Sequence, residues 1–313
     1  MDRLVTLFGG GGFLGRYVTQ ELLNAGARVR IAQRDPRDAW FLKPLGGLGQ
    51  TQFVAADVTR AESAKLAAQG SDAVINLVGI LKGDFQRVHV EGARNVAEAA
   101  RAAGAEALVQ LSAIGADAQA SSAYGRTKGE GEDTARQAFP AATILRPSVL
   151  FGTEDRFVNR FARMIQLLPM VPVIRPSVRL QPAWVSDVAR AVAAAALDPK
   201  AHGGRVYELG GPQILTMEEL NRWIAAETGR QDRTFIPVPD AAAEFMARLG
   251  GWLPGAPITW DQWLMLQRDN VVSPSAAGFD AFGISPAPLA AVAPPWLVQY
   301  RRHGRFDATR RSA

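Results

Sequence analysis

Seven consecutive residues, Gly9-Gly10-Gly11-Gly12-Phe13-Leu14-Gly15, place Gly9, Gly12 and Gly15 at the spacing G-x-x-G-x-x-G. They lie between a strand-like run, Leu4–Phe8, and a helical run that begins near Phe13. A chain that must leave a strand sharply, approach a pyrophosphate without a Cβ in the way and enter a helix packed on that strand needs glycine at these points. The helix N-terminus then offers N–H groups and the positive end of its dipole to the phosphates. Glycines also make plain turns, so it is the strand–turn–helix context that turns this string into a nucleotide motif. The G-K-[S/T] lysine of a P-loop is absent, which disfavours an ATPase of that type.

The end of the second strand bears on which dinucleotide fits. It reads Arg30-Ile31-Ala32-Gln33-Arg34-Asp35, with Arg37 nearby and Arg16 just after the third glycine. An acidic residue there would hold the ribose hydroxyls of NAD. Arginine pairs with a 2′-phosphate through charge-assisted forks, which favours NADP(H), with Arg34 as the ligand. A register slip of two residues would bring Asp35 to the ribose and reverse that preference. Asp57, after the third strand, is placed to meet the adenine amino group or to cap a helix.

Tyr124-Gly125-Arg126-Thr127-Lys128 is a Y-x-x-x-K on a predicted helix, with both side chains on one face. A lysine ammonium beside a phenol lowers its pKa and makes it a usable acid or base near neutral pH. Ser112, at the end of the preceding strand, could bond to a substrate oxygen. The same tyrosine and lysine could instead only hold the cofactor, or only cover the helix.

These side chains need a scaffold, and the rest of the chain supplies one. Leu4–Phe8, Val29–Ala32, Thr51–Ala55, Ala73–Val78, Ala107–Leu111 and Ala142–Leu145 are short apolar runs that read as strands buried on both faces. Phe13–Asn24, Val88–Ala103 and Ala123–Phe139 read as helices between them. This alternation predicts an α/β fold, a Rossmann-like doubly wound parallel sheet, with a smaller and mostly helical C-terminal domain. The expected division is 1–155 with contributions from about 182–210 for the nucleotide domain, 156–181 and 211–300 for the smaller one, and 301–313 as a basic tail. Further expected elements are a strand over Arg179–Ala183, a helix over Val185–Leu197 and one over Glu218–Gly229 with Thr216 as its N-cap.

Composition narrows the function classes. Of 313 residues, 48% are hydrophobic and 21% charged, ordinary globular values. The absence of cysteine excludes disulfides, thiolate metal sites and a cysteine nucleophile. His89, His202 and His303 are far apart, so no metal site is expected. No apolar run reaches the length of a membrane span. Only Asp2 and Arg3 precede the first strand, so no cleavable signal is expected. Residues 301–313 hold five arginines against one aspartate, leaving the body nearly neutral. That distribution argues against nucleic acid and for an acidic partner, an anionic lipid surface or a solvated end.

The glycine loop, Ser112 and Tyr124/Lys128, together with Val88–Asn95, Leu145–Gly152 and Glu208–Pro212, resemble an extended short-chain dehydrogenase/reductase from about residue 4 to residue 230. Ile75–Gly79, Lys43–Gly46 through Gly49-Gln50, and Phe151-Gly152-Thr153-Glu154-Asp155-Arg156-Phe157 with Asn159 and Phe161 resemble one branch. It is the atypical branch of the NADPH-binding accessory subunit of respiratory complex I (NADH:ubiquinone oxidoreductase) and its bacterial relatives. The resemblance implies a tightly held, structural NADPH, complex I subunits as partners, and a peripheral place on the inner face of the respiratory membrane, cytoplasmic or on the matrix side. It implies that Phe13, Leu14, Val58, Val78, Gly79, Pro147 and Val149 complete the cofactor's surroundings. One departure stands out. His89 occupies a place where the enzymes usually carry an asparagine that organises a proton-relay water; histidine can relay a proton itself or simply be buried and hydrogen-bonded.

Three functions share this pocket: an accessory subunit holding NADPH, an active NAD(P)-dependent reductase, epimerase or dehydratase with Ser112, Tyr124 and Lys128 as its catalytic set, and an NADPH/NADP sensor. A substrate would lie in the crevice at the carboxyl ends of the strands, with Arg156, Arg160, Arg163, Arg175 and Arg179 on the far wall. The dense aromatics Phe245, Met246, Leu249, Trp252, Leu253, Trp260, Trp263, Leu264 and Leu266 read either as a small core or, with the Arg tail, as a membrane-facing patch.

Overall fold

The computed structural model describes residues 3–250, 258–302 and 304. Its centre is a seven-stranded, all-parallel sheet. β1 (Leu4–Phe8), β2 (Arg28–Gln33), β3 (Thr51–Ala55), β4 (Ala73–Asn76), β5 (Ala107–Leu111) and β6 (Thr143–Pro147) are joined by an edge strand, Val206–Leu209. Across the sheet the order is Val206–Leu209, β6, β5, β4, β1, β2, β3. The order reverses at β1, which pairs with β2 on one side and β4 on the other. In such sheets the reversal opens a crevice at the carboxyl ends of the strands. β1 is followed there by the glycine string.

Helices α1 (Phe13–Asn24), α2 (Ala61–Ala68), α3 (Gly92–Ala102) and α4 (Ala123–Ala138) cover the sheet. α2 and α3 are alanine-rich on their inner faces, and Ala64, Ala67, Ala97 and Ala100, with Ala135 of α4, pack with Phe8, Val74 and Leu108 in one core. Small residues let the helices approach the apolar strands closely, and close packing secures the dispersion contacts of the core.

The chain forms two compact units. The first takes the chain up to Pro147 with Val185–Leu209 and Val272–Ser285; the second takes Ser148–Trp184, Gly210–Val271 and the chain from Pro286. Val272–Ser285 thus lies with the first unit, where Ala277 O accepts the Glu208 N–H of the edge strand. In the second unit, Phe151, Val158, Ile165, Leu220, Ile224 and Leu297 form a core of their own.

Three local structures differ from the expected elements. β4 stops at Asn76, because the Asn76 amide leaves the strand pattern: Oδ1 accepts the Val78 N–H at 3.1 Å and Nδ2 donates to Gln110 Oε1 at 2.9 Å. The expected strand Arg179–Ala183 is two short strands, Arg179–Leu180 and Ala183–Trp184. Pro182, which has no N–H to give a ladder, lies between them. The helix expected from Val88 begins as a π-turn, Gln86–Glu91, before α3. Thr216 does cap its helix, Met217–Glu227, in a reciprocal pair with Glu219.

Candidate functional site

The glycine string is a turn between β1 and α1. Gly9 has φ +83°, a conformation that a side chain rarely adopts. A Cβ on Gly15 would fall against the carbonyl oxygens of Gly9 and Gly10, so α1 can seat on the turn only with glycine there. Gly12 is the N-cap of α1, and among the described residues no side chain caps that helix. The first turn of α1, Phe13 and Leu14 included, therefore keeps backbone N–H groups for an external anion, as a bound pyrophosphate would require.

One residue of this loop went unassigned in the sequence. Gln33 ends β2 and turns under the string: its Oε1 accepts the Gly11 N–H at 2.9 Å, and its Nε2 donates to Asp35 O at 2.7 Å. It ties the phosphate turn to the next loop. The available signal was an uncharged glutamine at a position where carboxylate or arginine is the informative choice.

Arg34 and Asp35 diverge in what they touch. The Asp35 carboxylate caps a 3-10 helix, Pro36–Leu45, through the Arg37 N–H at 3.0 Å, and holds the Arg37 guanidinium at 2.6 Å. Those bonds from Arg37 hold its carboxyl well below the ordinary value. Arg34 is exposed and makes no hydrogen bond or ion pair among the described residues. Arg16 stacks its guanidinium 4.7 Å from the Phe41 ring centroid. Asp57 accepts from the Thr59 N–H and hydroxyl at 2.9 and 2.8 Å. Burial would raise its carboxyl, but those bonds, with Arg34 and Arg87 nearby, hold it below its ordinary value. Val58 is buried, and its carbonyl accepts from Asn95 Nδ2 at 2.8 Å.

The exit of β4 lies between the glycine turn and Lys128. A Cβ on Gly9 would lie 3.3 Å from Val78 Cγ2, and one on Gly79 would lie 3.3 Å from Lys128 Nζ. Lys128 is buried on α4; its Nζ donates to Leu111 O at 3.1 Å and sits 6.0 Å from the Tyr124 ring centroid. Burial pulls its ammonium down to about 8, against the opposing pull of Glu132. Glu132 is itself held by Arg146 at 2.7 Å. Tyr124 is half-buried. Ser112 is buried, and its Oγ has no hydrogen-bond partner among the described residues, an orphan that a bound oxygen would satisfy. Pro147 ends β6 and accepts from the Ile114 N–H at 3.0 Å. Val149 falls in the second unit, where its N–H donates to Asn270 Oδ1 at 3.1 Å.

His89 is the side chain whose role the sequence left open. Its Nε2 accepts the Ile80 N–H at 3.0 Å, which assigns the ring proton to Nδ1, and Nδ1 then donates to Thr127 Oγ1 at 3.0 Å. Thr127 passes its own proton to Ala123 O at 2.7 Å. The ring stacks on Phe85 and meets Tyr124 edge-on, with centroids 5.4 Å apart in each case. Burial, then the Lys128 charge, hold the imidazole down to about 3. His89 is neutral, both nitrogens are occupied by protein, and no lone pair is left for a relay water.

The expected aromatic patch divides. Trp263 is buried with Ala243, Ala247 and Ile258, and Trp260, Leu264 and Leu266 pack against that cluster. Phe245 and Leu249, on the helix Asp240–Gly250, are 65% and 60% exposed, and Met246 is half-buried. Trp252, Leu253 and all of the tail beyond Arg302 except Gly304 lie outside the described residues. Among the described residues no acidic or histidine cluster could hold a metal, and no helix is long and apolar enough to cross a membrane.

Among the described residues the first unit thus carries an uncapped helix N-terminus behind glycines, an arginine without hydrogen bond or ion pair at the end of β2, a buried lysine and an orphaned serine hydroxyl. The chain is similar to known proteins over most of its length. The chain is 36% identical over 296 residues to the mitochondrial NADH dehydrogenase [ubiquinone] 1 alpha subcomplex subunit 9 of Mus musculus, covering 91% of this chain and 77% of that protein. It is 32% identical to the subunit of the same name from Arabidopsis thaliana, covering 98% and 80%. The Citrobacter sp. triphenylmethane reductase complexed with NADP(H) shares the fold, with a TM-score of 0.74 at 19% identity, covering 95% of this chain and 99% of that one. The Escherichia coli NADPH-dependent quinone oxidoreductase complexed with NADPH does likewise, at 0.72 and 22%, covering 92% and 97%. The model of the NAD dependent epimerase/dehydratase family matches residues 5–210, and the chain belongs to that family.

Proposed function

We propose that this chain is an NADPH-binding accessory subunit of respiratory complex I, in which the nucleotide is held as part of the structure. The similarity to complex I subunits over nine-tenths of the chain carries the partnership. Three observations favour the particular cofactor and its structural role. Arg34 is unengaged and Asp35 is taken by Arg37, which favours a 2′-phosphate over ribose hydroxyls. Gly9, Gly12, Phe13, Leu14, Gly15 and Arg16 would hold the pyrophosphate, Asp57 and Val58 would border the adenine, and Val78, Gly79 and Pro147 would flank the remainder. Tyr124 and Lys128 would bond to the nicotinamide ribose. His89 offers no proton path, so turnover is not what its neighbourhood is built for.

A nucleotide that binds only the folded state at about 100 times its Kd adds about 2.7 kcal/mol of stability. NADPH is therefore expected to raise the melting temperature by several degrees, NADH by less, and Arg34→Glu to abolish the difference between them. Equal shifts with both nucleotides in the wild type would overturn the NADPH assignment.

The location follows as part of the reading: peripheral, on the inner face of the respiratory membrane. Phe245 and Leu249, four residues apart on one helix face, would meet lipid or a membrane subunit, with the Arg tail adding attraction to anionic headgroups. Liposome flotation with and without residues 301–313 tests the tail, and equal flotation removes it from the reading.

A second reading, an active reductase, is favoured by the orphaned Ser112 Oγ. The nicotinamide would supply the hydride chemistry. Ser112 would fix a substrate oxygen, the Tyr124 phenol would hold the proton to be moved, and Lys128 would lower the phenol pKa. Tyr124→Phe should then lose turnover and still bind NADPH.

A further inference from the structure

The 3-10 helix Pro36–Leu45 presents its rings outward. Ala39 and Leu42, three residues apart and fully buried, anchor it to the first unit. Trp40 and Phe41 are 49% and 46% exposed, Leu45 is exposed, and Leu48, three residues beyond, is fully so. Two cations brace the rings: Lys43 Nζ lies 4.1 Å from the Trp40 centroid and Arg16 Cζ lies 4.7 Å from that of Phe41. A side chain fixed by its own contacts loses little freedom on docking. Exposed tryptophan and phenylalanine in a contiguous segment are uncommon on a free surface and common at the centre of protein interfaces.

From this we infer that the Trp40–Leu48 face of the first unit is a docking surface for a partner protein, one with an apolar centre and a carboxylate placed to meet Lys43. The inference rests on the accessory-subunit reading and names the face that such a subunit would use. The charges on the segment select a protein over a lipid surface. Asp35 and Asp38 alternate with Arg37 and Lys43, so the segment is near neutral and an anionic bilayer would repel half of its charges. Lys43 has no ion pair among the described residues, so its charge is available to a partner. The face is also continuous with the proposed cofactor site through Arg16, which follows the third glycine and packs on Phe41.

The test uses the full chain, tagged, in its native host. Wild type and the Trp40→Ser/Leu48→Ser double variant are purified from gently solubilised membranes, and the yield of complex I subunits per bait is measured by quantitative mass spectrometry. Phe41 is left in place so that Arg16 keeps its support. The expected result is a loss of complex I subunits of roughly tenfold or more in the variant, with the melting temperature and its NADPH-induced rise unchanged. Should the double variant fail to fold, Lys43→Glu replaces it and is expected to lose the subunits by charge repulsion. Equal recovery with wild type and a folded variant overturns this inference and leaves the accessory reading standing. If wild type itself brings no complex I subunits, the accessory reading falls and this inference with it. A wild-type dimer that the variant dissolves, seen by light scattering, or flotation with phosphatidylserine vesicles lost only in the variant, would assign the face to a second copy or to lipid and would also overturn it.

Discussion

Helix α1 and the helix Val158–Leu167 both follow a short strand and a glycine-bearing turn, and their entries are completed in opposite ways. At α1 the N-cap is Gly12, and among the described residues no side chain caps the helix. At Val158 the buried Asp155 carboxylate fills the corresponding place. It accepts the N–H groups of Gly152 at 3.1 Å, Phe157 at 2.7 Å and Asn159 at 3.3 Å. Asn159 in turn accepts from the Tyr300 hydroxyl at 3.0 Å and so secures the end of the second unit's core. One turn is left open for a ligand's negative charge; the other carries its own. The motif Phe151–Phe157 with Asn159 resembles the branch in sequence, and its Asp155 serves the fold by capping this turn.

The contrast can be broken at either turn. Gly15→Val should have the largest effect, because its Cβ falls against the carbonyls of Gly9 and Gly10. NADPH affinity by calorimetry is expected to drop roughly 100-fold or more, as the pyrophosphate loop cannot close. Asp155→Ala should do the converse. It removes the acceptor of the buried Gly152 N–H and of the partly buried Phe157 and Asn159 N–H groups and is expected to cost about 3 kcal/mol in denaturant unfolding, while NADPH affinity stays within about threefold of wild type.

The buried lysine of the first unit sharpens the comparison, since among the described residues no counter-ion is in direct contact with it. Its folded pKa of about 8 lies below the ordinary lysine value, so the unfolded state binds more protons between those two values. Stability should therefore rise as pH increases from 8 toward 10. Lys128→Met is expected to raise the melting temperature of the unliganded protein by a few degrees at pH 7, with the gain shrinking above pH 8 and NADPH affinity reduced. A variant no more stable than wild type at pH 7 would show that Lys128 carries no burial cost. His89 should have the smallest effect near neutrality. Its folded pKa is also depressed, so its contribution is complete above the ordinary histidine pKa and falls away on acidification toward pH 3. His89→Gln should flatten the acid limb of a melting-temperature profile between pH 6.5 and 4.

Much of the first unit could be read from spacing. Gly9, by its positive φ, and Gly15, by the carbonyls that a Cβ would strike, state a steric requirement for glycine, and short strands buried on both faces announce themselves by apolar runs. The Pro36–Leu45 helix was not legible, because it has no 3.6-residue period and carries Pro44 inside. Asp35 could be weighed as a ribose ligand only while its partner was unknown; Arg37, two residues away, engages it. The role of His89 depends on Ile80 and Thr127, which lie 9 and 38 residues away and meet it only in the folded chain. Val272–Ser285 shows no periodicity that would tie it to the edge strand; its carbonyl contact with Glu208 is a backbone contact and leaves no mark on side-chain type.

The most direct test of the central claim is to release and quantify the nucleotide from protein purified gently from its native membranes, together with the subunits that accompany it. Close to one NADPH per chain, retained through dialysis, is expected alongside complex I subunits. Nucleotide-free protein, or NAD(H) in place of NADPH, with no complex I subunits present, would contradict it.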